Sequence, residues 1–348
     1  MNRVVEKTYV KEMNILKGIG IFLVVLGHSF PDGVGSENYR FLHQFIYSFH
    51  MPLFFLVSGF FAKRVCEITN FQEYIFLVKD KLKRLIVPYF IISFVAIPLK
   101  LIMNRYALRP IDLHTLISDV VLYPLDNPII FFWFIYTLFM IFLLAPMLSK
   151  IPQSSLIIIL LIGNLIPMNY IRIFNISGLT HYSIYFFAGI ILSRNYNWFK
   201  EFTYKALISL VCFSILLALN LFVHSNHEFI NNILNLTKAF AGIVCFMNLS
   251  YLIQGKRVLG DVLEYLGKFS FDIYLLSWFF QNGSRILFYQ MIKLDYNLVV
   301  LLMFLTGILA PIILSKFIIR KIGITNKLIL GNFTKSRPLV QQNSSLPF

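Results

Sequence analysis

Apolar runs of roughly 17 to 22 residues recur from one end of the chain to the other. That is the length a helix needs to cross about 30 Å of hydrocarbon at about 1.5 Å per residue. Charged residues fill only 14% of the 348 positions and hydrophobic ones 58%, whereas soluble domains carry about 25% charge. Such a chain cannot cover itself with polar surface, so lipid is its solvent. Backbone polar groups cannot stay unpaired in lipid, and long Leu/Ile/Phe runs without two-residue alternation favour helices over a barrel. The expected fold class is therefore an all-α integral membrane protein, a bundle of about ten transmembrane helices. The predicted spans are 15–30, 44–62, 85–103, 129–148, 154–169, 180–193, 204–223, 233–253, 270–291 and 298–316.

The basic residues give the bundle a direction. Taken alternately, one set of connections holds 22 Lys and Arg, and the opposite set holds only Arg40, Arg105, Arg109, Arg172 and Lys293. The positive-inside rule then puts both termini in the cytoplasm. A formal charge of +15 that is spread over short loops serves this orientation, and no nucleic-acid partner is expected. No hydrophilic stretch is long enough for a soluble domain, so residues 1–330 read as one membrane domain. Residues 331–348 read as a polar cytoplasmic tail expected to be disordered. The stretch from Phe71 to Leu85 alternates aromatic and aliphatic residues with Lys79, Lys81, Lys83 and Arg84, as an amphipathic helix lying on the inner surface would. Lys17 lies inside the first apolar stretch with no small-residue cleavage site after it, so no removable signal peptide is expected. Cys66, Cys212 and Cys245 are odd in number and scattered, which predicts neither a disulfide framework nor a metal site.

Polar residues inside spans are costly and mark function. Lys17 and His28 are eleven residues apart, three turns plus about 20°, so both project from one helical face about 16 Å apart along the axis. Lys17 falls near the cytoplasm and His28 near the outside. Gly20 and Gly27 form a bare stripe beside them, where another helix backbone is expected to approach. The next span runs inward from His43 and His50, which brings three histidines toward the depth of His28. Imidazole suits removal of a hydroxyl proton near neutral pH.

The run Leu16-Lys17-Gly18-Ile19-Gly20-Ile21 is followed by Val24-Val25-Leu26-Gly27-His28-Ser29, then by Phe49-His50-Met51-Pro52-Leu53-Phe54-Phe55 and Ser58-Gly59-Phe60. Together these resemble the membrane acyltransferase family 3, closest to its fucose 4-O-acetylase-like branch. Lys83-Arg84-Leu85 with Pro88-Tyr89, Trp133-Phe134 with Leu138-Phe139, and Leu266-Gly267-Lys268 with Ser270-Phe271-Asp272-Ile273-Tyr274 extend the likeness over about nine-tenths of the chain. The family signature is Arg, ten residues, then His. Here Lys17 holds the basic position, keeping the charge and losing the bidentate fork. Ser277 stands where many members carry a further histidine.

The resemblance implies an O-acetyltransferase in the bacterial cytoplasmic membrane. Its donor would be acetyl-coenzyme A, and its acceptor a hydroxyl of a cell-surface polysaccharide or lipid-linked sugar. His28 is the expected catalytic residue, with Lys17 and His50 assisting it. Either His28 deprotonates the sugar hydroxyl for direct attack on the thioester, or it carries the acyl group itself. Lys63, Arg64, Lys83 and Arg84 satisfy the positive-inside rule unaided and also suit the phosphates of coenzyme A. His43, Ser58, Trp133 and Arg285 are candidates for contact with the acceptor. No His-Glu-x-x-His pair is present, and no metal is expected. The rival class is a transporter or flippase of a lipid-linked glycan, which many helices and a few intramembrane cations would also serve. A third reading is a structural component of an envelope synthesis complex.

Overall fold

The computed structural model describes residues 10–33, 36–166, 168, 171–203, 206–223 and 226–333. Among the described residues every regular element is helical. From the N-terminal side, α1 (Lys11–Gly27) leads to α2 (Glu37–Tyr47) and α3 (His50–Phe60). After a 3₁₀ turn at Lys63–Glu67 come α4 (Phe71–Lys81) and α5 (Val87–Ile102), joined by a π turn at Leu82–Ile86. The short α6 (Leu116–Val121) precedes α7 (Trp133–Leu148), α8 (Gln153–Leu165) and α9 (Ile176–Arg194). Then follow α10 (Tyr196–Thr203), α11 (Ala206–Phe222), α12 (Glu228–Gln254) and α13 (Arg257–Lys268). The last described helices are α14 (Ser270–Ser284), α15 (Tyr296–Leu314) and α16 (Gly323–Leu330).

Six helical stretches among the described residues are long and apolar enough to cross a membrane: Tyr39–Phe60, Phe71–Ile102, Ile130–Leu148, Ile173–Arg194, Glu228–Gln254 and Tyr296–Ile319. Gln153–Leu165 and Leu207–Phe222 are apolar but shorter. Outward-facing residues such as Ile158, Leu207, Phe222 and Ile313 are exposed on the bundle surface, as a lipid-facing wall requires. Lipid tails are as apolar as leucine, so the helices are held together by close packing.

That packing is closest at two glycine crossings. A Cβ on Gly18 would fall on the Leu263 carbonyl, and one on Gly267 on the Asn14 carbonyl, so α1 and α13 meet backbone to backbone. Gly59 and Gly189 join α3 to α9 in the same way, against the carbonyls of Phe186 and Leu56. The expected stripe at Gly20 and Gly27 meets side chains instead, Phe54 and Tyr47 respectively. Lys11 adds ion pairs from α1 to Asp261 and Glu264 of α13, at 3.5 and 3.8 Å.

Three local differences from the sequence reading matter for the site. The connection before residue 270 is the amphipathic helix α13, packed on α1. The span predicted at 44–62 is broken at Ser48 and Phe49, where Phe49 turns to φ −142°, so α2 and α3 are separate helices. The first helix closes at Gly27, which leaves His28 as its C-cap. The amphipathic segment forms α4 as expected, with the Tyr74 hydroxyl donating to the Leu143 carbonyl of α7 at 3.4 Å. At the tail boundary Gly331 is buried at positive φ (65°), tight against the Arg84 backbone. Residues 334–348 of the expected disordered tail lie outside the described residues.

Candidate active site

His28, His43 and His50 converge, and the residue that joins them is Tyr47. His43 and Tyr47 are spaced i, i+4 on one face of α2, and the break at Ser48 and Phe49 brings His50, the first residue of α3, to the same tyrosine ring. The His43 ring stacks on Tyr47 with centroids 3.9 Å apart. His50 meets the other side of Tyr47 edge-on at 4.8 Å. The Tyr47 hydroxyl lies 3.2 Å from His28 Nδ1 and 3.4 Å from Nε2, so it bonds one ring nitrogen at a time. Gly27 makes this contact possible, because a Cβ there would come within 3.0 Å of the Tyr47 ring.

The imidazoles are held differently. His50 is buried, and its Nδ1 lies 2.8 Å from the Ile46 carbonyl oxygen. A carbonyl only accepts, so Nδ1 carries the proton and the neutral ring keeps Nε2 as its acceptor. His28 is half-buried and rests against Phe131, ring centroids 5.1 Å apart. Phe131 belongs to the 3₁₀ turn Ile130–Phe132 that opens α7. That turn is fixed from two sides. The Tyr274 hydroxyl of α14 donates to the Phe131 carbonyl, and the Asn127 carboxamide accepts from Ile129 N–H at 2.8 Å while donating to Ser93 Oγ at 2.9 Å.

A second tether comes from Gln281 of α14. Its amide donates to the Val25 carbonyl at 2.8 Å and to Ser29 Oγ at 3.0 Å, gripping the end of α1 on both sides of His28. Gly307 of α15 leaves the space for this reach, since a Cβ there would meet the Gln281 side chain. Neither Tyr47 nor Gln281 was singled out from the sequence. The His43-Tyr47 spacing was a readable signal for the first. Gln281 carries only the weaker signal of being a polar residue inside a span, one turn beyond Ser277. Ser277 itself is buried on α14.

The other candidates lie elsewhere. Lys17 sits in the N-terminal half of α1, three turns before His28, its Nζ 5.1 Å from the Phe61 ring centroid beyond the end of α3. Ser58 is eight residues past His50, about 12 Å along the helix, and half-buried. Lys63 and Arg64 lie in the 3₁₀ turn after α3. Lys83 and Arg84 lie in the π turn before α5. Both turns flank α7. Arg84 donates to Asn332 Oδ1 and lies over the Phe271 ring, while Lys83 faces Phe333. Trp133 is two residues from Phe131 and stacks on Tyr182 of α9 at 5.1 Å. Arg285 is buried beyond Gln281 and donates to the Tyr106 carbonyl at 2.8 Å, its Nε and second Nη making no hydrogen bond. Among the described residues no group of three or more His, Cys, Asp or Glu is arranged to hold a metal ion.

A partly buried imidazole cluster at one end of an apolar helical bundle, gathered around one tyrosine ring whose hydroxyl reaches His28, is equipped for proton transfer to or from a hydroxyl. The family comparison agrees with this. The sequence profile of the acyltransferase 3 family, described as an acyltransferase domain, matches residues 10–316, and the chain belongs to this family. It is thus an acyltransferase, built as a membrane bundle. No curated protein and no solved structure matches the chain.

Proposed function

We propose that this acyltransferase is an O-acetyltransferase of the fucose 4-O-acetylase-like branch, moving acetyl from acetyl-coenzyme A to a hydroxyl of a cell-surface polysaccharide or lipid-linked sugar. The observation that carries the reading is the His28 imidazole within hydrogen-bond distance of Tyr47, whose ring also contacts His43 and His50. In the direct reaction a His28 nitrogen takes the sugar hydroxyl proton as the oxygen attacks the thioester carbonyl. The carbon–sulfur bond then breaks, and the thiolate leaves with the proton returned from the imidazolium, giving an ester and free coenzyme A. In the covalent variant His28 is acylated first and the sugar oxygen attacks the acyl-imidazole. Both require His28. Tyr47 orients the ring, and His50 Nε2 is a second acceptor for the proton.

In this reading the chain crosses the bacterial cytoplasmic membrane ten times with both termini inside. His28 then faces the outer half, and Lys17, Lys63, Arg64, Lys83 and Arg84 face the cytoplasm. These cations receive the phosphates of the donor, and its pantetheine arm reaches along α1 toward His28. His43, Ser58 and Arg285 border the path of the substrates.

Purified protein in lipid, given acetyl-coenzyme A and an acceptor glycan, is expected to release free coenzyme A only when the acceptor is present and to add one acetyl mass to the glycan. A stoichiometric burst of coenzyme A without acceptor identifies the covalent route. Near-normal acylation by well-expressed His28→Gln protein overturns the assignment of the site. For topology, an impermeant thiol reagent should reach Asp112→Cys and not Glu73→Cys in a background freed of Cys66, Cys212 and Cys245. The reverse pattern overturns the orientation.

A further inference from the structure

Beside the imidazole cluster lies a partly open cavity of about 370 Å³ between α7, α8, α9 and α12, inside the roughly 300–1000 Å³ range of small-ligand sites. Its walls carry Trp133, Tyr182, Asn164, Thr180, Asn232 and Asn235. Among the residues that line it there is no Lys, Arg, Asp or Glu. Asparagines and a threonine in an otherwise apolar bundle are costly, and each amide both donates and accepts. The aromatic wall is rigid. Tyr182 packs against both Phe55, with centroids 4.7 Å apart, and Trp133, at 5.1 Å, and those two rings lie 6.4 Å from each other.

The wall is polar beyond what the fold uses. The Asn164 amide is buried, and its Nδ2 donates to the His181 carbonyl at 2.7 Å. Its Oδ1 has the buried Tyr185 hydroxyl as a neighbouring donor, short of full hydrogen-bond geometry. The Asn164 amide, which lines the cavity, thus keeps acceptor capacity that the fold uses only in part. The entry side is shaped as well. Phe174 and Asn175 take left-handed backbone, φ 51° and 50°, and the Asn175 side chain caps α9 through Gly178 N–H while donating to Thr137 Oγ1.

The cavity adjoins the chemistry from two directions. Phe131 touches His28, and Trp133, two residues further on, lines the cavity. On α12, Asn235 precedes Gly242 by seven residues, about 10 Å, and Gly242 packs on Phe49, next to His50.

We propose that this cavity binds the acceptor as a neutral, hydroxyl-rich sugar ring, stacked on the Trp133–Tyr182 wall and hydrogen-bonded by the asparagine amides. The proposal rests on the acyl-transfer reading above and adds the acceptor's place and charge. Vicinal hydroxyls match groups that donate and accept at once. A uronate or phosphosugar would bring a charge into walls that hold no Lys or Arg and whose one basic side chain is the imidazole of His181.

Trp133 makes the proposal testable, because the chain has three tryptophans. In Trp198→Phe/Trp278→Phe protein it is the single emitter. Methyl glucoside and methyl galactoside should change its emission saturably, and glucuronate should do so at least about tenfold more weakly. Asn235→Leu in the same background should weaken the neutral sugars at least about fivefold, the effect of one hydrogen bond. The absence of a saturable response to either glycoside, an equal or tighter response to glucuronate, or unaltered affinity in Asn235→Leu each overturns the cavity as the sugar site. Saturable neutral-sugar binding by a protein that acylates nothing supports the cavity and faults the catalytic reading. Acylation of the glycosides with an acceptor KM unmoved by Asn235→Leu does the opposite.

Discussion

The polar groups at the two ends of this bundle follow opposite rules. At the end that carries His28, three imidazoles are held by aromatic rings and single hydrogen bonds, and the central Tyr47 hydroxyl is shared between the two nitrogens of one ring. At the other end Asp272, buried at the start of α14, is held fast through one oxygen, Oδ2. It accepts from Ser315 Oγ and from Arg320 through both Nε, at 3.0 Å, and Nη2, at 2.7 Å. Arg320 also lies over the Phe269 ring, and Arg84 is tied to Asn332 close by. A group whose partners are few and exchangeable can gain and lose a proton or admit a substrate. A carboxylate oxygen tied by three bonds to a serine and an arginine of a neighbouring helical segment holds helices together.

The largest expected effect tests the reactive end. His28→Gln keeps bulk and hydrogen bonding without an imidazole base, so acylation should fall by about 10²–10⁴-fold. Midpoint temperature in detergent and protein level in the membrane should match the parent. A His28→Gln protein that unfolds early would move His28 into the structural class and dissolve the contrast between the ends.

The end that carries Asp272 should respond in the opposite sense. Asp272→Ala leaves Ser315 and Arg320 without their acceptor and should lower unfolding stability by about 3 kcal/mol. That is the lower edge for a broken buried pair, because Arg320 keeps one side in solvent. Ser315→Ala should cost about 1 kcal/mol. Denaturation of the purified protein reads both, with turnover per folded molecule little changed. A folded Asp272→Ala protein of parental stability and no turnover would make this end part of the chemistry.

Tyr47 lies between these cases. Tyr47→Phe keeps the stacking with His43 and His50 and deletes one hydroxyl, whose net worth is about 0.5–1.5 kcal/mol. Turnover should fall between roughly twofold and tenfold while acceptor KM stays constant. A loss as large as that of His28→Gln would give the hydroxyl a direct part in proton transfer.

The contrast was only half legible in the sequence. His28, His43 and His50 announce themselves as polar residues inside apolar runs. Their meeting point depends on features with no one-dimensional signature: the break at Ser48–Phe49, the early end of α1, and Gly27 admitting the Tyr47 ring. The helix α13 hid for a different reason. Its charged residues fit a loop by composition, and only the Gly18–Gly267 crossing reveals that one face is packed on α1. Asp272 appeared in a motif as one letter among apolar neighbours. Its partner Arg320 is 48 residues away and belonged, in the linear count, to the cytoplasmic charges. Arg84 reads as a donor ligand because it is one of four basic residues in loops assigned to the cytoplasm, where coenzyme A phosphates need cations. Nothing in the chain announced that Asn332, at the edge of the polar tail, would reach it.

The smallest expected effect separates Arg64 from Arg84, two cations proposed together for the donor. Arg64 lies exposed in the turn after α3. If it meets a donor phosphate in water-screened surroundings it contributes about 0.5–1 kcal/mol, so Arg64→Gln should raise the KM for acetyl-coenzyme A by roughly two- to fivefold. Phosphate binding is shared by ground and transition states, which leaves kcat in place. Stability should not move. Arg84 has a second tie, through Asn332 to the segment capped by Gly331, and Arg84→Gln should therefore lower the unfolding midpoint as well as raise the same KM. Asn332→Ala divides the two roles, since it breaks the structural tie and keeps the cation. It should reproduce the loss of stability with donor KM unchanged. An Asn332→Ala protein with weakened donor binding would mean that the tie orients Arg84 for the phosphate, and the two ends of the bundle would then both be working parts of one reaction path.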